Sequence, residues 1–116
     1  MNLPRTTLGI SRKIILDTKH VPKHLPNTPE SLKLIKNEGA AHVFSDESTM
    51  QKVSQEIIKN GTPLGKVRGF ERFGLKFSEP IGYRISKDGS QIPLYYGEMK
   101  IKGDLYHVIP RTNPSR

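Results

Sequence analysis

Ile81-Gly82-Tyr83-Arg84-Ile85-Ser86-Lys87-Asp88-Gly89 decides the fold class. Ile81, Tyr83 and Ile85 alternate with Arg84 and Ser86, the period of a strand with one face on a core, and Lys87-Asp88-Gly89 is a hairpin turn signal. Downstream, Gln91–Ile101 reads as the next strand, interrupted at Pro93 and Gly97. Lys102-Gly103-Asp104 turns again, Leu105–Ile109 is the last strand, and Pro110 onward is a tail. Upstream, Val67–Phe77 has strand texture with bends or bulges at Gly69 and Gly74. The result is an antiparallel meander of about four strands.

Helical signals precede it. Thr28 can cap a helix, Pro29 suits its first turn and Gly39 can stop it; Leu32, Leu34 and Ile35 give a weak apolar stripe. Ser48 and Gln51 form a capping box with Asp46 and Glu47 at the positive end of the macrodipole. Met50, Val53, Ile57 and Ile58 follow at helical spacing, and Asn60-Gly61 closes the run before Pro63. Ala40–Phe44 lies between the helices as a short extended segment. Ile10–Leu16 is a short strand or one helical turn, and His20–Thr28, with three prolines, is irregular. The expectation is an α+β fold, with N-terminal helices packed on an antiparallel β-meander of about four strands. A single domain over residues 1–116 is expected, with 1–12 expected to be a lead-in from a longer chain.

Nineteen Lys and Arg against eleven Asp and Glu give a net charge of +8 and a pI near 9.9. Such a balance suits a polyanion, most often nucleic acid, through phosphate neutralisation and counterion release. The charge is uneven: residues 1–39 carry +4, residues 40–65 carry −1 and residues 66–116 carry +5. There is no cysteine, which excludes disulfides and thiolate metal sites. No apolar run approaches membrane-spanning length and no secretory signal is evident, so a domain working in water is expected. A phosphate-cradling glycine loop with a following Lys-Ser/Thr is absent from the sequence, against an ordinary nucleoside-triphosphate enzyme.

The densest chemistry is Lys19-His20-Val21-Pro22-Lys23-His24. Imidazole exchanges protons near neutral pH, and ammonium groups beside it favour phosphate. His20 and His24 stand four apart, a zinc spacing on a helix, but Pro22 makes a regular helix improbable, and no acidic residue is close enough in sequence to complete a metal site convincingly. General acid or base work beside phosphate, with Lys19 or Lys23 on the anion, is the better use. The alternative is a solvated basic turn.

His107 on the last strand faces opposite to Tyr106 and Val108. If those two point inward, His107 is displayed on an open sheet face with Arg84 and Ser86 as cross-strand company. If Leu105 and Ile109 point inward, it is half buried and structural. Arg111 and Thr112, just beyond, can grip a phosphate, or belong to a frayed terminus. His42, in Ala41-His42-Val43-Phe44, reads as a core-edge histidine. Tyr95-Tyr96 and Phe70-Phe73-Phe77 can stack on bases, but strand aromatics of a small domain usually form its core.

The order Lys19-His20…Lys23-His24, Phe44-Ser45-Asp46-Glu47, a helix ending Ile57-Ile58-Lys59-Asn60-Gly61-Thr62-Pro63, and a basic meander closing on His107…Ile109-Pro110-Arg111-Thr112 resembles toxin nuclease domains. These are the barnase–EndoU–colicin–RelE group of metal-independent ribonucleases, found at the C-termini of contact-dependent growth inhibition and other polymorphic toxins. The resemblance covers roughly residues 13–112.

It implies cleavage of RNA, commonly tRNA, without metal or other cofactor, by attack of a ribose 2′-hydroxyl to leave a 2′,3′-cyclic phosphate. It implies catalytic roles for His20, His24, His107, Arg84 and Thr112, with Lys19, Lys23 and Arg111 on substrate phosphate. His20 or His24 would take the 2′ proton and His107 would protonate the leaving oxygen. The implied partners are an acidic cognate immunity protein and, as a further candidate, a host translation factor, with no membrane. The domain would be exported within a larger effector and act in the target-cell cytoplasm, inhibiting growth. Two other readings stand beside it: a non-catalytic basic RNA-binding domain, and a zinc-dependent nuclease through His20 and His24.

Overall fold

The computed structural model describes residues 13–114. In chain order these form β1 (Ile15–Leu16), two one-turn 3₁₀ helices (Thr18–His20 and Pro22–His24), α1 (Pro29–Glu38), β2 (Ala40–Phe44) and α2 (Glu47–Asn60). Six further strands follow: β3 (Thr62–Val67), β4 (Phe70–Lys76), β5 (Gly82–Ser86), β6 (Gln91–Leu94), β7 (Tyr96–Lys102) and β8 (Leu105–Arg111).

Local signals set both helices. At the start of α1 the Thr28 hydroxyl accepts from the Ser31 N–H at 3.0 Å and the Ser31 hydroxyl accepts from the Thr28 N–H at 3.2 Å, satisfying two donors reciprocally. Gly39, at φ 92°, ends it in the left-handed conformation. α2 starts two residues earlier than the Ser48–Gln51 box implies. Asp46 is its cap, accepting from the Thr49 N–H at 2.7 Å. An ionised cap beside the macrodipole also gains charge stabilisation there.

The fold is mixed α and β, but the single meander is not what forms. Five strands make one sheet in the order β1-β8-β7-β4-β3, and three make a second in the order β2-β5-β6. β1 runs parallel to β8; every other pairing is antiparallel. The Val67–Phe77 segment is the turn and second arm of a hairpin whose first arm is β3. Arg68 and Gly69 both have positive φ, 52° and 84°, as a tight two-residue turn requires. Gln91–Ile101 divides into two strands serving different sheets. β4 pairs directly with β7, so the β5–β6 hairpin leaves that sheet and joins β2 instead. Gly82 permits this: a Cβ there would lie 2.0 Å from the Val43 carbonyl oxygen, so only glycine lets β5 sit so tightly on β2. The last strand runs through Pro110 to Arg111, because β1 pairs with β8 only at Leu105 and Tyr106 and leaves its far end an edge.

The two faces of the five-stranded sheet differ. On one, Met50, Val53 and Ile57 of α2 pack with Phe73, Met99, Ile101 and Val108 into the core. Register then places Phe70 and Arg72 of β4, Tyr96, Glu98, Lys100 and Lys102 of β7, and His107, Ile109 and Arg111 of β8 on the other. That second face is basic and polar, and it carries the site.

Candidate functional site

The Lys-His-x-x-Lys-His segment is held over the polar face by its neighbours. The Asp17 N–H donates to the Tyr106 carbonyl at 2.8 Å, extending the β1–β8 pairing and setting the first 3₁₀ turn beside His107. The Thr28 hydroxyl donates to the Pro22 carbonyl at 2.6 Å, tying the second turn to the start of α1. Pro22 opens that second turn, whose single 3₁₀ turn needs no donor from it.

Three histidines gather there. The rings of His20 and His107 stack with centroids 4.2 Å apart and planes 24° from parallel. Phe70 meets His107 edge-on at 6.0 Å. His24, only 9% exposed, has Nδ1 2.9 Å from the His42 carbonyl oxygen. A carbonyl can only accept, so the proton sits on Nδ1 and the buried Nε2, which has no hydrogen-bond partner, keeps its lone pair.

Lys100 lies across from His107 on β7 and across from Arg72 on β4. Glu98, with no exposed surface, is 3.0 Å from Arg72 and 3.6 Å from Arg111. The expected cross-strand company of His107, Arg84 and Ser86, is therefore replaced by Lys100, because Arg84 belongs to the other sheet and pairs with His42. The inward set on β8 is Tyr106 and Val108, but the displayed face is not open. His107 is 7% exposed beneath the 3₁₀ turns.

Burial and neighbouring cations keep these rings neutral. His107 is lowered to about 3, by burial first and then by His20, Lys100, His24 and Lys23. His24 is lowered to about 4, by burial first, with its bond to the His42 carbonyl acting the other way and Lys23 adding to the depression. His20 is lowered by burial and by Lys23, while Asp17, whose carboxylate lies 3.6 Å away, opposes this. Asp17, three residues before His20, thus serves as an ion-pair partner of the ring. Burial also lowers the Lys100 ammonium, helped by Arg72 and countered by Glu98.

The lowered rings link stability to pH. Unfolded, each histidine takes its proton near 6.5; folded, His24 and His107 resist until about 4 and about 3. Their neutral form is thus fully compatible with the fold above pH 6.5, and stability falls as pH drops through and below that value. At pH 5 each ring is expected to cost about 2 kcal/mol relative to pH 8. Thermal unfolding across pH 8 to 4 checks this: the wild type falls steeply below pH 6.5, and His107→Gln flattens the slope. An equal slope in that variant contradicts the assignment.

The structure brings His20, His24, His107 and Lys23 together. It puts Lys19 beside Lys23 on a groove along α1 that also contacts Lys33 and Glu38. Arg84 stands on β5 opposite His42. Arg111 and Thr112 lie four and five residues beyond His107, where they line a cavity of about 230 Å3 with His42 and Ile109. His42, half-buried on β2 between the buried Ala41 and Val43, is lowered by burial first and then by Arg84 and Arg111, so it stands at the core edge within this second basic cluster.

Lys100, Arg72 and Glu98 are what sequence reasoning missed. For Glu98 and Lys100 the signal is the alternation of Glu98, Lys100 and Lys102 against Gly97, Met99 and Ile101. Of the aromatics assigned to the core, Phe73 is there, Phe77 packs against it, and Phe70 and Tyr95 are not. Among the described residues no group of three His, Asp or Glu side chains is arranged to hold a metal ion.

No curated protein and no solved structure matches the chain. A family model described as Domain of unknown function (DUF6972) matches residues 12–115. That match spans nearly the whole sequence, and the chain belongs to this family.

Proposed function

We propose that this domain is a metal-independent endoribonuclease that cleaves RNA by attack of a ribose 2′-hydroxyl on the adjacent phosphate. The observation that carries the reading is the His20–His107 stack at 4.2 Å, within the electrostatic reach of Lys23 and Lys100. Two imidazoles this close resist double protonation, so a bound phosphate that raises their proton affinity leaves one charged and one neutral. That is the state general acid–base catalysis needs.

His20, the more exposed of the pair and close to Asp17, holds the single proton of the stack, and His107, kept neutral by burial and by the cations around it, takes the 2′ proton. The O2′–P bond forms as the P–O5′ bond breaks, and His20 gives its proton to the leaving O5′. Lys23 and Lys100 offset the charge building on the non-bridging oxygens. His24, pinned to the His42 carbonyl, is a positioning residue that backs the stack. Because the nucleophile belongs to the substrate, proximity supplies much of the advantage.

The charge of +8 supports a polyanionic substrate. With the toxin resemblance, it makes tRNA in a target cell the favoured RNA and an acidic immunity protein the favoured partner. The test is incubation of the purified domain with total tRNA in EDTA. Discrete fragments are expected. Binding without fragments identifies a non-catalytic RNA-binding domain, and fragments only without EDTA identify a metal-dependent nuclease.

A further inference from the structure

The polar face continues past His107 along β8. At strand rise, Arg111 lies about 13 Å further on, where it and Thr112 line the cavity with His42. Thr112 also lines a second cavity of about 370 Å3, whose walls include Lys76, Tyr95, Tyr96 and Asn113. Thr112 is thus common to the linings of both cavities.

The two tyrosines are held differently. The Tyr96 hydroxyl sits over Gly74, where a Cβ would come within 1.7 Å of it, so that ring is locked against the sheet. Tyr95 is 39% exposed, lies between β6 and β7, and takes no place in the core. An exposed tyrosine face beside an amide side chain and a lysine suits a planar, hydrogen-bonding ligand. Arg111, Thr112 and His42 next door suit the phosphate attached to it.

We propose that the second cavity is a subsite for one unpaired base of the RNA strand, stacked on Tyr95, with its phosphate held by Arg111 and Thr112. This rests on the reading of RNA as substrate and adds what form of RNA is taken. The distance from His107 puts this base beyond the nucleotides at the cut. A base inside a duplex cannot reach Tyr95, so the substrate is a loop or another single-stranded region.

The test is fluorescence anisotropy of a labelled single-stranded 2′-O-methyl oligonucleotide, which binds but cannot be cut. Tyr95→Ala is expected to lose about 5- to 150-fold in affinity, the range for one base–aromatic stack, and Tyr95→Phe to stay close to wild type. An abasic strand of the same length is expected to bind wild type as weakly as the oligonucleotide binds Tyr95→Ala. Equal affinity of wild type and Tyr95→Ala overturns the subsite, as does an equal loss in Tyr95→Phe or no binding by wild type. The outcome separates from the cleavage reading because the probe undergoes no chemistry. RNA cleavage with unchanged Tyr95→Ala binding removes only the subsite, and Tyr95-dependent binding without cleavage of natural RNA removes only the nuclease.

Discussion

Glu98→Ala is expected to destabilise the domain by about 3–5 kcal/mol, the range for removing one partner of a buried ion pair. Glu98 has no exposed surface and lies between two guanidinium groups, 3.0 Å from Arg72 and 3.6 Å from Arg111. Arg72 is itself buried on β4, an interior strand of the sheet next to the central β7 that carries Glu98. Without the carboxylate, the desolvation cost of that guanidinium is no longer met by its opposite charge, and nearby Lys100 adds repulsion. For a domain of this size the loss lowers the melting temperature by roughly 15–30 °C. Glu98→Gln, which keeps shape and an acceptor, is expected to fall between. Denaturant unfolding of the three proteins decides it; a Glu98→Ala change below about 1 kcal/mol would show that the pair does not hold the polar face together.

The second large effect is on activity. His107→Ala and His20→Ala are each expected to lower kcat/KM for RNA at least 100-fold, the lower end for loss of a positioned acid or base. The stack makes them a unit, so the double variant is expected to lose little more than either single one. Lys100→Ala is expected to lose a comparable factor through the uncompensated charge on phosphate. Rate constants on a purified tRNA, with circular dichroism to confirm folding, check the set. Multiplied losses in the double variant would mean that the two rings act separately.

What the sequence showed and what it hid follow a physical division. Both helices were legible, because Thr28-Pro29, Gly39 and Gly61 act within a turn of the chain they punctuate, although the cap of α2 is Asp46 and not Ser48. The Lys87-Asp88-Gly89 and Lys102-Gly103-Asp104 turns were legible for the same reason. Strand partnership was not. Nothing near Lys76 or Tyr96 in sequence states that they pair with each other, while the intervening hairpin crosses to β2.

The facing of His107 shows the same limit. Alternation leaves two choices on β8, and it is the α2 stripe of Met50, Val53 and Ile57, met only in three dimensions, that claims Val108. Lys100 was half legible. Reading Gln91–Ile101 as one strand hides the phase that sets Glu98, Lys100 and Lys102 on the polar face. Arg84 was placed beside His107 on the assumption of one meander, and the second sheet moved it beside His42.

The chemistry of the cut ends tests the central claim most directly. Total tRNA incubated with the domain in EDTA, followed by mapping of the fragment termini, is expected to show 2′,3′-cyclic phosphates paired with 5′-hydroxyls, lost together in His107→Ala. Intact tRNA, or fragments bearing 5′-phosphates and 3′-hydroxyls, would contradict attack by the substrate's own 2′-oxygen at this histidine stack.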